Sequence, residues 1–428
     1  MNISKRNILW IFVLLQLTVV SQNNQINSPY SYYGLGNLKG RNVSNISQSL
    51  GGLSIGYSNS RHINPNNAAS YAVFDSTYFI FETGVKAEAG TLSSLYSSEN
   101  SSSITLSYFM MGFPVTKWWK SSIGLLPYSE VGYNINVTID MSQYHFTNII
   151  NAIEGHGRMN QFYWGNGFKI SKNLRAGANI NYTFGQGAFQ SLIYFNDSIN
   201  ILGTKTVREV NIHDFIFDFG VQYDIHFNKN SMLTLGAIYA PEVNAGASRT
   251  SLGKTLFGGY TDVDYDKDTI FYTPDEKGTI TVPLRAGFGM TYYHKDLWMT
   301  GVDFEYQQWE KYKAFGVSDS ITNSWRLSVG AEYKPPHTTL SPLYKKMTYR
   351  MGIRYEMSYL MLRGHQLDEF GISIGTEFPI RKSRSTISLS AEYGKRGTTN
   401  FGLLRESYVN FTLGLSINER WFYKRRYQ

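Results

Sequence analysis

The chain has 428 residues, a net charge of +8, no cysteine, and 15 % aromatic residues that include 32 tyrosines. Without cysteine there is no disulfide framework, thiolate nucleophile, cysteine zinc site or lipid-modified cysteine. The basic residues are scattered over short turns and the C-terminus, not gathered into one stripe with stacking aromatics. That pattern argues against a nucleic-acid partner and for water and anionic headgroups, outer-membrane lipid and lipopolysaccharide, at a membrane edge.

Residues 1–21 read as a secretory signal peptide, with a basic start at Lys5 and Arg6, an apolar run from Ile8 to Val20, and short residues before a cut after Ser21. Export is therefore expected. Beyond Val20 no run approaches the roughly 18 apolar residues of a spanning helix, and the mean hydropathy is -0.28. A membrane-spanning form of this chain has to be a β-barrel.

Residues 22–74 are small, polar and without a sustained period, as in the stretch Ile63–Tyr71, INPNNAASY. From residue 75 onward the chain reads as one all-β unit of about fourteen strands. They fall near 77–90, 102–114, 120–139, 160–170, 174–185, 208–226, 231–243, 279–293, 297–308, 324–334, 347–360, 368–379, 385–396 and 406–421. In Tyr349–Tyr359, Met351, Ile353, Tyr355 and Met357 alternate with Arg350, Gly352, Arg354 and Glu356; Tyr408–Ile417 alternates likewise. Period two places each set on one face. Runs of about nine to twelve residues, aromatic on the apolar face, suit strands that cross a bilayer at a tilt better than those of a soluble sandwich.

Connection lengths agree with this reading. Thr116–Trp119, Ser171–Asn173, Asn228–Asn230, His294–Asp296 and Arg381–Ser385 are short and polar, with Lys334–Lys346 a longer exception. The alternate connections Asp140–Met159, Gly187–Val207, Asn244–Gly278 and Gln308–Asn323 are long. Short turns on one side and long loops on the other predict an outer-membrane barrel with short turns and both termini in the periplasm.

With the polar face inward, the lumen receives Asp214, Asp218, Arg285, Asp303, Glu305, Arg326, Glu332, Arg350, Arg354, Glu356, Glu377 and Glu392. These charges are expected to pair across strands and with whatever fills the barrel; a polar conduit or ligand site is the alternative. Fourteen strands leave space that side chains alone do not fill, so residues 22–74 are expected to fold into it as a plug, where irregular backbone is shielded from lipid. Strand three contains Pro127, which cannot donate to a ladder, and its alternation slips at Leu125 and Leu126, so a bulge or kink is expected there.

The sequence resembles the FadL-like family of outer-membrane transporters for long-chain fatty acids and other hydrophobic compounds. The matching residues are Gly51 and Gly52, then Asn64 and Pro65 of an Asn-Pro-Ala element, ahead of the first strand; Asn66 stands where alanine is expected, with Ala68 and Ala69 following. The resemblance implies a fourteen-stranded barrel, an N-terminal hatch over 22–74, a barrel over 75–428, and a lateral opening at the distorted third strand near Pro127. It implies passive uptake of a hydrophobic small molecule. The family also includes PorV-type proteins that work with the type IX secretion system, so a non-transporting subunit of an outer-membrane assembly, with envelope protein partners, is the rival expectation.

Asp262, Asp264, Asp266 and Asp268 alternate in the fourth long loop and begin like a calcium loop, but Lys267 replaces the required glycine and Thr273 the bidentate glutamate. A solvated acidic loop is expected, with a calcium site at Asp262, Asp264 and Asp266 as the lesser alternative. The eight histidines form no metal-spaced pair, and no phosphate loop or serine elbow is present. No cofactor and no catalytic set is expected.

Overall fold

The computed structural model describes residues 28–39, 44–140, 148–195, 201–257 and 266–420. The signal-peptide segment lies outside the described residues. Fourteen antiparallel strands close into a barrel, as the alternation and turn lengths predict. They are β1 Tyr78–Ser93, β2 Ser98–Pro114, β3 Trp119–Ile139, β4 Ile149–Lys169, β5 Leu174–Phe195 and β6 Gly203–Asn228. Next come β7, in two pieces Ser231–Ala240 and Val243–Leu256, and β8, in two pieces Asp266–Val282 and Arg285–His294. The rest are β9 Trp298–Gln307, β10 Ser324–Tyr333, β11 Thr348–Leu362, β12 His365–Pro379, β13 Thr386–Gly397 and β14 Arg405–Arg420. β14 pairs back to β1 from Arg405↔Ser93 to Arg420↔Tyr78, which closes the wall.

The polarity of the wall is inverted relative to a soluble protein. On β11, Met351 and Ile353 are 62 % and 50 % exposed, while the alternating Arg350 and Arg354 are 4 % and 7 % exposed. β6 repeats the pattern, with Phe215, Phe217 and Phe219 facing out and Ile216 and Gly220 buried between them. An apolar, aromatic outside around a charged inside is stable only where the outside meets lipid.

Several strands are longer than the sequence pattern suggests. Asp140–Met159, Gly187–Val207 and Asn244–Gly278, expected as loops, are largely strand: β3 and β4 have 21 residues each, β5 has 22 and β6 has 26. The ladder continues to Ile149↔Ile139 on one side of β4 and Ile149↔Phe195 on the other. Beyond the bilayer both faces of a hairpin meet water, so alternation fades while backbone hydrogen bonding persists.

β7 and β8 break at the same height. Pro241 and Glu242 separate the pieces of β7, Pro283 and Leu284 those of β8, and the flanking pairs are Ala240↔Arg285 and Val243↔Val282. A proline in each strand removes a ladder donor, so the wall bends there. Above the bend, Trp309 and Tyr312 of the β9–β10 loop pack with Tyr30, Leu35, Ile280 and Tyr359 in an apolar cluster at the long-loop end.

Residues 28–74 hold little regular structure. The one α-turn among the described residues of this segment, Asn45–Ser49, is capped by Ser44 Oγ, which accepts the Ser47 N–H at 3.1 Å. Leu50, Leu53, Ala69 and Tyr71 of this segment have no exposed surface.

Candidate functional site

An irregular backbone has no ladder to satisfy its own polar groups, so other partners must do so. For residues 44–74 those partners lie on the barrel strands. Asp303 on β9 accepts the N–H groups of Ser54, Ile55 and Gly56 at 2.6, 2.7 and 3.4 Å. Gln222 on β6 donates to the Ile55 carbonyl at 2.9 Å, Asn179 on β5 donates to the Pro65 carbonyl at 2.7 Å, and Asn45 donates to the Thr412 carbonyl of β14 at 2.7 Å.

The Gly-Gly and Asn-Pro elements have separate local tasks. Gly51 and Gly52 have φ of +68° and +91°. Gly51 donates to Ser373 Oγ at 2.9 Å, and a Cβ on it would lie 2.7 Å from the Ile353 backbone nitrogen. Both conformation and closeness require glycine. Asn64 donates to the carbonyls of Ser54 and Tyr57 at 2.6 and 3.1 Å and accepts the Asn66 N–H at 3.2 Å, tying 54–57 to 64–66. Asn66 donates to Ser54 Oγ at 3.2 Å, a bond the alanine of the family element could not make.

The charges expected inward fall into three groups. In the first, Arg350 bridges Glu332 at 2.6 Å and Glu377 at 2.5 Å, Lys334 meets Glu332 at 2.7 Å, and His62 joins Glu82 at 2.6 Å to Glu377 at 3.1 Å. Burial alone would lower the His62 pKa, but the Glu377 and Glu82 carboxylates outweigh it and push the imidazole up to about 9. In the second, Arg354 reaches Glu369 at 2.6 Å, Glu392 at 2.7 Å and Glu356 at 4.0 Å and also contacts the Tyr408 hydroxyl, while Arg396 holds Glu369 at 2.8 Å and Glu406 at 3.4 Å. The third lies at the bend: Arg285 meets Asp218 at 2.9 Å and Glu305 at 3.6 Å, and Asp214 accepts the Gly246 N–H at 2.7 Å. Arg326 reaches the Gly52 carbonyl at 3.4 Å and Ser328 Oγ at 3.3 Å.

Sequence reasoning missed His62, Glu82, Glu369, Arg396 and Glu406. Glu82 was within reach, because Ile80, Glu82, Gly84, Lys86 and Glu88 share one face of β1 by the same period. His62 gives no such signal, lying in a segment without period.

The third strand is distorted, two residues later than expected. The β2–β3 ladder runs from Pro114↔Lys120 to Phe109↔Leu125, and no further β2–β3 pair forms among the described residues. Pro127 sits two residues past its end, and the register with β4 shifts between Pro127 and Ser129. The facing still alternates through Leu126: Leu125 is turned outward, while Leu126 is turned inward and buried in a cluster with Ile63, Tyr71 and Phe74, so an apolar residue on the inner face mimics a slip; the extra residue comes after Pro127. The N-terminal segment takes up this edge of β3. Asn37 and Leu38 pair with Glu130 and Ser129, the Lys39 N–H donates to the Tyr128 carbonyl at 2.9 Å, and the Ser28 N–H donates to the Gly132 carbonyl at 2.8 Å.

Small cavities lie between the N-terminal segment and the wall, and a larger basin opens at the short-turn end. A cavity of about 130 Å³ is lined by the Arg354 and Arg396 clusters, with Lys39, Lys86 and Glu88 between it and one of about 40 Å³ beside Pro127. A third, of about 80 Å³, lies at the bend, where Asp218 and Arg285 face a largely apolar lining that includes Leu126, Ile216, Pro241 and Val282. Of the acidic run, Asp262 and Asp264 lie outside the described residues, and Asp266 opens the upper piece of β8, where Asp268 pairs with Thr255. From residue 266 on, a strand replaces the expected loop. Among the described residues no group of three His, Asp or Glu side chains is placed to hold a metal ion.

The family model of BamG matches residues 3–428. The chain belongs to the BamG family. No curated protein matches it. Among solved structures, this BamG-family chain is similar to the Ralstonia pickettii toluene transporter TbuX, with a TM-score of 0.61 at 12 % identity, over 90 % of this chain and 100 % of that one. It is also similar to the Pseudomonas putida toluene transporter TodX, with 0.55 at 14 % identity over 90 % and 99 %, and to a Pseudomonas aeruginosa FadL homologue, with 0.54 at 13 % identity over 91 % and 100 %. At these identities the likeness is one of fold, and it shows a FadL-like β-barrel.

Proposed function

We propose that this protein is a non-conducting barrel subunit of an outer-membrane assembly or secretion complex, with residues 22–74 as a hatch that stays in place. The observation that carries this reading is the filling of the interior. The apolar cluster around Trp309 occupies the long-loop end, the N-terminal segment is bonded to strands around the wall, and the cavities left between segment and wall are about 130, 80 and 40 Å³, each touching at least one ion pair. An apolar ligand on such a route would have to separate buried ion pairs, which costs several kcal/mol for each charge left alone (about 3–5 kcal/mol). The short turns and both ends of the wall face the periplasm, the usual arrangement for such barrels. Purification from native outer membranes in mild detergent tests the reading: a stoichiometric protein complex without bound hydrocarbon is expected, and a monomer carrying fatty acid or hydrocarbon would overturn it.

Passive uptake with lateral exit is the second reading. It is favoured by the end of the β2–β3 ladder at Leu125 near Pro127, and by the fold shared with the toluene transporters TbuX and TodX. On this reading residues 28–39 must leave the edge of β3 before a ligand passes. Hydrocarbon uptake by cells in which residues 28–39 are cross-linked to β3 separates the two, since uptake that survives the cross-link excludes this route.

A further inference from the structure

Each of the six connections at the short-turn end carries at least one cation: Lys117, Lys172, Lys229, Lys295, Lys345 and Arg381. Inside this ring is a basin of about 790 Å³. Its floor is Tyr57–Arg61 of the N-terminal segment, and its sides come from β5 to β10 with the turns at Lys229 and Lys295. Most of its acids are already engaged, Asp224 by Arg175 at 2.5 Å and Glu332 by Arg350 and Lys334. Asp296 is left, exposed beside Lys295. Arg61, Lys229 and Lys295 line the same basin, and among the described residues none of the three is held in an ion pair. From the β5 side comes Arg175, 4 % exposed, whose Nε has no hydrogen-bond partner.

We infer that this basin docks an acidic segment of a periplasmic polypeptide. A basic concavity attracts and orients an acidic partner before contact. Anionic lipid explains cations on the outer rim but not these, because the floor lies within the barrel wall and the bilayer lies outside it. The inference rests on the assembly-subunit reading, whose partner chemistry and docking face it names.

The test uses the full mature protein in detergent and a short fluorescent glutamate-rich peptide. The wild type should bind the peptide, with affinity falling as salt rises. Lys229→Glu with Lys295→Glu should weaken binding about tenfold or more, while Lys345→Glu with Lys346→Glu, on the outer turn, should change it little. Heat-modifiable gel mobility checks that both variants are folded. No binding by the wild type, or equal weakening in the two variants, overturns the inference. A photo-crosslinker at the exposed Ser60 in native membranes should capture an acidic stretch of a periplasmic protein; adducts with lipid alone, or none, also overturn it. The two readings can fail separately. Peptide binding by a protein that purifies as a monomer removes the assembly reading and leaves the basin, whereas a native complex unaffected by the Lys229 and Lys295 reversals does the opposite.

Discussion

His62 stands 3.1 Å from Glu377 and 2.6 Å from Glu82, and so joins the N-terminal segment to β12 and β1 through one imidazole. Arg350 on β11 shares Glu377 with it at 2.5 Å. Three cationic or polar contacts therefore converge on carboxylates that would be costly to bury alone.

The pH dependence of stability follows from this site. The folded His62 pKa of about 9 lies above the unfolded value of 6.5, so its contribution is fully present below the unfolded pKa and is lost as pH rises through about 9. The heat-denaturation midpoint should fall between pH 7 and pH 10. His62→Gln should flatten that part of the profile, and an identical fall in the variant would remove His62 as the cause.

Arg350→Met should be severely destabilising, by about 3–5 kcal/mol, because it leaves Glu332 and Glu377 buried with less compensation. The measurement is urea denaturation in lipid vesicles. A variant within about 0.5 kcal/mol of the wild type, the range of an ordinary surface change, would show that the pair is solvated.

Asp303→Ala removes the acceptor of three backbone N–H groups. At about 1.5–3 kcal/mol for a hydrogen bond to a charged group, residues 54–56 should loosen locally. Limited proteolysis should cut the variant within that stretch while the barrel keeps its heat-modifiable mobility.

Gly36 has φ of +82°, and a Cβ on it would sit 2.7 Å from the Glu130 carbonyl oxygen. Gly36→Val should therefore detach residues 28–39 from β3. Amide hydrogen exchange of Leu38 and Lys39 should rise several-fold; unchanged exchange would mean the edge contact adapts.

Pro127→Ala should leave both stability and permeation near wild type if the barrel does not conduct, since the β2–β3 ladder has already ended at Leu125. A change in hydrocarbon uptake without unfolding would instead support lateral exit.

Much of the wall was legible because a membrane strand must hide its apolar side from nothing and its polar side from lipid. Arg350, Arg354 and Glu356 could be assigned to one face by counting in twos. The same rule failed beyond the bilayer, where β4 and β6 run on without alternation. It misled at β3 too, where Leu126, apolar but packed inward on the N-terminal segment, looks in the sequence like an inserted residue, while the actual bulge follows Pro127. The Gly51, Gly52 and Asn64 positions could be picked out, yet their partners could not: Ser373 lies hundreds of residues from Gly51, and Ser54 and Tyr57, though near Asn64 in the chain, sit in a segment with no period to place them.

The sequence by itself determined a cysteine-free barrel chain with charges on one face of many strands, because period two and strand length are local consequences of the pleat and the bilayer. Only the tertiary structure decided which charges meet, that residues 28–39 take the free edge of β3, and that a basic basin opens at the short-turn end. Those outcomes depend on closing the barrel, which brings β14 against β1 and folds an aperiodic segment against strands from every part of the chain.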